Sequence, residues 1–508
     1  MRLASSAHMM DFSMVTRAAD RLMAGFPLRV RAAASAQGPA FALLACLMAL
    51  TGCDQDVQER NGVYKAEVGR VPAAPQRPGD PEAGRHALLN KSAVTCGLPD
   101  RVYRETLAAA AGDSLPDLAG RVGRNAELPY MLTAATSASG VEIVTSNCLG
   151  CHATVLDGEV VVGLGNEFLD MTRDPLIGVE ATASVDMSEA ERTEWQLWAD
   201  RITAIADAMM TDTIGVNSAN NLTLALMAHR DPQTLAWSDE PLIEPPPEKP
   251  LPVSVPPLWN VGKKNAMFYN AEGRGDHVRY MMLASTTCTD SVEEAAEIDA
   301  WFVDVRAYLA TLQPPAYPYP IDTDLARRGH GVFQETCKEC HGAYEGEGSY
   351  PNKVVALGKV ETDPLLARKG FSEADRFLKW FQDSFYGELS QAAPALGYMA
   401  PPLDGIWATA PYLHNASIPT LEALLDSRQR PTYWAFDRDG DERPAYDQSR
   451  VGWAYRTLPH GKAGAMSWSE RNRIYDTTLP GYANQGHTFG DALKPQDRTA
   501  LLEYLKSL

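Results

Sequence analysis

A mainly α-helical protein of two tandem domains joined by long ordered loops is predicted by three features of the 508-residue sequence. Segments rich in Ala, Leu and Glu carry apolar residues at helical spacing. The chain is too long for one minimal domain and suits two or more cores. The pattern Cys-x-x-Cys-His occurs twice, and 38 Gly and 35 Pro supply the loops between helices.

Cys148-Leu-Gly-Cys151-His152 and Cys337-Lys-Glu-Cys340-His341 each read as the covalent attachment site of a c-type haem. Two thiols separated by two residues reach the two vinyl-derived carbons on one porphyrin edge, and the histidine that follows becomes the proximal ligand of the iron. Neither motif brings a complete four-ligand zinc set or a thioredoxin-like strand-to-helix setting. The expectation is two covalent haem c groups on Cys148, Cys151, Cys337 and Cys340, with His152 and His341 on the irons, in tandem cytochrome c-type domains.

At the N-terminus, Arg29 and Arg31 precede the apolar run Phe41–Leu50, which is too short for a membrane span and leads into Thr51-Gly52-Cys53. Residues 1–52 therefore read as a bacterial lipoprotein signal, with Cys53 as the lipidated first residue of the mature chain. That predicts membrane contact through a lipid anchor in the cell envelope, facing the periplasm or the outer surface. The signal holds five basic and two acidic residues, so its removal takes the formal charge from -19 to -22. Such a surface disfavours nucleic acid and suits either plain solubility or a small basic electron-donor protein. Residues 53–85 are polar, rich in Pro, Gly, Arg and Glu, and read as a flexible tether.

The N-terminal cytochrome c-type domain is expected over residues 86–317. Glu127 to Asn147 reads as a helical approach to Cys148. Ser188 opens a helix through Trp198, Ile202, Ile205 and Met209, with acids in its first turn. Ser291 opens another through Ile298, Phe302, Val305 and Leu309, ending before Pro314-Pro315. Pro241 to Pro257 reads as a long loop over this domain. Cys96 and Cys288 are the mature cysteines left over, a candidate disulfide in an oxidising compartment.

The C-terminal domain is expected over residues 318–508, after the stiff connector Pro314–Pro320. Asp322 or Asp324 caps a helix that delivers Cys337, and Pro495 to Leu505 forms a closing amphipathic helix. The side of each iron opposite its proximal histidine decides between storing electrons and activating oxygen. His229, His277, His330, His414, His460 and His487 are the candidate distal histidines. The Asp437–Asp441 loop lacks EF-hand spacing, so a calcium ion stays unassigned.

Pro402-Leu403, Gly405-Ile406-Trp407, Ala410-Pro-Tyr-Leu-His-Asn415, Pro419-Thr-Leu421 and Gly486-His487-Thr-Phe489 together resemble the di-haem cytochrome c peroxidase superfamily, most of all its rubber oxygenase-like branch. Trp259-Asn260, Lys264–Phe268 and Arg274-Gly275-Asp276 extend the resemblance into the first half. It implies an electron-transfer haem in the C-terminal domain and an N-terminal haem that meets dioxygen or hydrogen peroxide. It also implies His487 as distal ligand of the His341 iron, and Phe268, Met267 and Trp259 near the distal side of the His152 iron. Trp407 and Tyr412 are expected in the wall between the haems or as simple packing aromatics. His414, between Pro411 and Pro419, reads as a structural residue of a rigid loop. The expectation is an oxygenase-like haem oxidoreductase acting on an apolar substrate. Cytochrome c peroxidase and a non-catalytic electron-transfer lipoprotein are the alternatives.

Overall fold

Small residues decide where the helices of this chain cross. In the computed structural model, which describes residues 57–108, 117–246, 249–346, 348–438 and 443–508, helix α1 (Pro81–Asn90) starts at a proline and is capped by the Asp80 carboxylate, which accepts from the Glu82 and Ala83 amides. Helix α2 (Glu189–Met209) carries a reciprocal capping box between Ser188 and Glu191. Helix α3 (Val292–Leu309) is capped by Ser291. In the second half, helix α4 (Thr323–Thr336) is capped by Asp322, and helix α5 (Pro495–Lys506) again has proline in its first turn.

Helix α1 crosses α3 at Gly84, where an added Cβ would sit 1.8 Å from the Asp304 carbonyl oxygen. Helix α4 crosses α5 at Gly329, where an added Cβ would sit 1.9 Å from the Ala500 carbonyl oxygen. Each half is thus closed by the same backbone-to-backbone crossing. Around the first, Leu88 and Leu89 bury against Ile298, Phe302, Val305 and Leu309; around the second, Phe333 buries against Leu501, Leu502 and Leu505. A fully buried side chain of this size contributes about 1.5–3 kcal/mol.

The architecture is mainly helical with several small β-sheets of two or three strands. Two expectations are corrected. Part of the expected tether (53–85) is structured: Val57–Arg60 and Val63–Ala66 pair as a hairpin, Gly69–Arg70 pairs with Lys353–Val354, and α1 begins at Pro81. Its polar look misled because its charges are matched within the fold; Arg77, for example, bridges Asp276 and Asp299. The stretch before Cys148 is not a helix but an antiparallel pair, Leu132–Thr136 with Glu142–Ser146, turning at Gly140 with φ 84°. Its Thr, Ile and Val content favours a half-buried strand.

The described residues group into one compact unit, and Leu164 and Trp259 of the first half share an apolar cluster with Phe333, Trp407 and Leu501 of the second. Cys96 and Cys288 are joined as a disulfide with Cα atoms 5.5 Å apart. No helix among the described residues is long and apolar enough to cross a membrane. The signal segment and Cys53 lie outside the described residues, as does part of the Asp437–Asp441 loop.

Gly329→Ala drives a Cβ into helix α5 and is expected to destabilise the protein by about 1–3 kcal/mol in urea unfolding. Gly331→Ala on the same helix meets nothing within 4 Å. It is expected to be neutral or to stabilise by several tenths of a kcal/mol, about the helix-propensity gain.

Candidate haem sites

Each Cys-x-x-Cys-His segment folds as a single helical turn, Leu149–His152 in one half and Lys338–His341 in the other. The His152 amide donates to the Cys148 carbonyl at 3.0 Å and the His341 amide to the Cys337 carbonyl at 3.1 Å. One turn brings the two thiols and the imidazole to the same end of the segment. All four cysteines are free thiols. Burial pushes the Cys148 thiol up, Cys151 up to about 11 and Cys337 up to about 12, so these three thiols stay protonated at ordinary pH.

A longer repeat orients the histidines. Residues 254–273 and 399–418 share one backbone course at an offset of 145 residues, the step from Ser254 to Met399. Phe268 and Ala271 have φ 66° and 54°; Leu413 and Ala416, their counterparts, have φ 71° and 60°. Met267 bridges Gly273 as Tyr412 bridges Ile418. Each repeat also reaches into the other. The Ser254 amide donates to the His414 carbonyl at 2.8 Å, and the Met399 amide donates to the Tyr269 carbonyl at 2.7 Å.

Two residues beyond each of those amides stands a proline carbonyl that meets a motif histidine. His341 Nδ1 lies 2.8 Å from the Pro401 oxygen. The Pro256 carbonyl acts on His152 in the same sense, though Nδ1 makes no hydrogen bond of normal geometry. A carbonyl on Nδ1 fixes the tautomer and leaves Nε2 for a metal.

His487 faces His341, with ring centroids 6.2 Å apart and planes at 64°. Two metal–imidazole bonds of about 2 Å each, plus half a ring at either end, span that distance. The turn is held from outside. The His487 amide donates to the Val360 carbonyl at 2.7 Å, and Arg430 donates to the Gly486 and His487 carbonyls at 2.7 and 3.2 Å. Gly486 has φ 73°, and a Cβ there would lie 2.1 Å from the Glu361 carbonyl carbon. Burial, then the neighbouring His341 and Arg430, push His487 down to about 3; burial pushes His152 down to about 4 and lowers His341. All three stay neutral at ordinary pH, the form that binds iron. Among the described residues no group of three or more His, Cys, Asp or Glu converges as a metal cage. A planar macrocycle held by thiols and capped by two imidazoles fits this donor set.

Met267 packs in the cluster of Leu149, Ala153 and Tyr280, with Cys148 at its border. Phe268 is half exposed and meets Tyr280 edge-on at 5.5 Å. Trp259 is buried in the cluster that joins the halves, its indole N–H donating to the Asp404 carbonyl at 2.8 Å. Trp407 and Tyr412 are buried in that same cluster, with Trp407 donating to the Pro315 carbonyl. Of the other histidines, His229 stacks on Trp237 and bonds the Ser238 carbonyl, His330 pairs with Gln334 and Glu345, and His460 bonds the Gly461 carbonyl. His277 is 1% exposed with neither ring nitrogen hydrogen-bonded.

Sequence reasoning missed the repeat, although Val255-Pro-Pro-Leu258 and Ala400-Pro-Pro-Leu403 signal it. It also missed Glu167, a buried carboxyl pushed up to about 7 by burial against the opposing pull of Arg443.

Residues 397–435 match the RoxA-like, cytochrome c-like family. Two relatives from Sinorhizobium fredii (strain NBRC 101917 / NGR234) are similar over part of the chain. One, an uncharacterized protein y4iJ, is 31% identical over 267 residues, covering 39% of this chain and 41% of its own. The other, an uncharacterized protein y4iM, is 30% identical over 242 residues, covering 40% and 53%. The chain thus spans about half the length, or less, of these relatives.

Burial moves His277 from 6.5 to about 4 and His414 from 6.5 to about 3. Below pH 6.5 the unfolded chain therefore binds more protons than the folded one, so stability is full above 6.5 and falls as pH drops toward those values. His414→Phe is expected to flatten the pH dependence of the urea midpoint between pH 7 and pH 4.5.

Proposed function

We propose that this chain is a di-haem c-type oxidoreductase in which the His341 and His487 site exchanges electrons and the His152 site meets dioxygen or peroxide. The observation that carries the reading is the His341–His487 pair at 6.2 Å, with His341 oriented by Pro401. The partial match to a RoxA-like, cytochrome c-like family over residues 397–435 supports it. When bound, the two groups supply one-electron exchange at one site and an open coordination position at the other.

The residues divide the work. Cys337 and Cys340 would anchor the second group while Gly486 and Arg430 hold the His487 turn; with His341 and His487 both as ligands, the site would favour the ferric state and leave no room for outside ligands. At the first site Cys148, Cys151 and His152 supply one face only. Met267 and the half-exposed Phe268 would give the approach an apolar character that suits an apolar substrate. The chain would draw electrons from a small donor protein, and Thr51-Gly52-Cys53 would tether it to an envelope membrane.

One observation favours peroxide reduction as a second reading. His277 opens the short helix whose Val278 and Tyr280 pack with Leu149 and Ala153, and its buried imidazole, near the Asn265 backbone but without a hydrogen bond of normal geometry, would be available as a general acid-base.

Low-temperature electron paramagnetic resonance is expected to show one low-spin bis-histidine ferric centre and one centre that binds cyanide. His487→Ala should abolish the first signal and spare the second, and Gly486→Ala should weaken the first by displacing the turn. Two centres that both refuse external ligands, oxidised or reduced, would leave only the non-catalytic electron carrier. In stopped flow, fast peroxide-driven oxidation of a reduced donor cytochrome would favour the second reading over the first.

A further inference from the structure

Resting on the two-haem reading above, we propose that His414 and Ser254 form the electron route from the His341 site to the His152 site. The route begins where Cys340 packs against the cluster of Tyr398, Val355 and Val360. Tyr398 lies flat on the His414 ring, centroids 4.1 Å apart and planes 18° from parallel. Tyr269 approaches the same ring edge-on at 6.2 Å. The His414 carbonyl then accepts the Ser254 amide at 2.8 Å, and from Ser254 the chain runs through Val255 to Pro256, whose carbonyl acts on His152.

One packing contact from Cys340, one ring stack, one hydrogen bond and two peptide units therefore lead from a haem-attachment cysteine of one site to the Pro256 carbonyl, which stands beside the proximal histidine of the other across a short through-space step. Electron tunnelling decays more slowly through such bonds than across gaps. His414 is buried at 5% exposure in an interior that keeps its imidazole neutral, a costly way merely to fill space.

The repeat itself picks out this path over its mirror. The counterpart connection runs from the Tyr269 carbonyl through Met399 to Pro401 and His341. There the position matching Tyr398 is Val253, so no ring stacks on Tyr269 as Tyr398 does on His414. Among the described residues, a face-to-face aromatic lead-in stands on the side of the bis-histidine site. In the step, the His341 iron is oxidised by one electron and the His152 iron reduced by one; no bond forms or breaks and no proton moves. A small one-electron donor protein replenishes the first, and dioxygen or peroxide takes the electron from the second.

The test is flash photoreduction of the full chain without oxidant, following each haem by its own spectrum. His414→Ala removes the stacked ring and keeps the backbone bond; Ser254→Pro removes the N–H donor and keeps the ring. Each is expected to slow transfer between sites by about tenfold or more through weaker electronic coupling, equivalent to about 1.4 kcal/mol on the rate scale. Haem content and the low-spin signal are expected to be unchanged, and His414→Phe, which keeps a stacked ring, is expected to recover most of the rate. Transfer at the wild-type rate in Ser254→Pro and in a folded His414 variant, with both haems present, overturns the route and leaves the two-haem reading standing. A chain without two reducible haems overturns that reading, and the route falls with it. If His414→Ala does not fold, Ser254→Pro decides alone.

Discussion

Two proline carbonyls, Pro256 and Pro401, stand where each half must hold a neutral imidazole at a fixed angle, and much of the structure serves to put them there. A buried histidine is costly unless its nitrogens are used. At His341 one nitrogen is turned to the Pro401 carbonyl and the other is left for a metal; at His152 the Pro256 carbonyl stands nearby without a hydrogen bond of normal geometry. The prolines suit the task because they lack an amide donor and fix φ, so the strap presents a rigid acceptor without needing a partner of its own. The straps are not free to drift, because the amide two residues upstream is bonded to a loop of the opposite half. Each half thus helps to place the histidine of the other, in keeping with the single compact unit that the described residues form.

The second constraint is close approach of backbones. Gly84 and Gly329 allow helices to cross with no side chain between them, and Gly486 lets the His487 turn press on Glu361. Where such glycines sit, the gain is contact between main chains that any larger residue would pry apart. The same economy places His487 within 6.2 Å of His341 across a space lined by no third ligand among the described residues.

Some of this was legible in the sequence. Ser188, Ser291 and Asp322 each announced a helix through a side-chain oxygen that the structure uses as a cap, and the two Cys-x-x-Cys-His turns were unmistakable because the spacing itself defines one helical turn. Other parts were hidden for identifiable reasons. Helix α1 lay inside a polar stretch because the charges of that stretch, such as Arg77, are satisfied by residues more than 190 positions away. The strands before Cys148 were masked by short length and mixed composition. The repeat at an offset of 145 was obscured because few residues besides the Pro-Pro-Leu core are shared; what repeats is the backbone course, visible in paired positive φ angles and bridges rather than in side chains.

The central claim is that both Cys-x-x-Cys-His turns carry covalent haem. The most direct measurement is the intact mass, together with the pyridine haemochrome absorbance, of chain matured in a cell equipped for cytochrome c assembly. Two haems per chain are predicted, with one lost on replacing Cys337 and Cys340 by Ala. One haem or none in the unmodified chain would contradict the account.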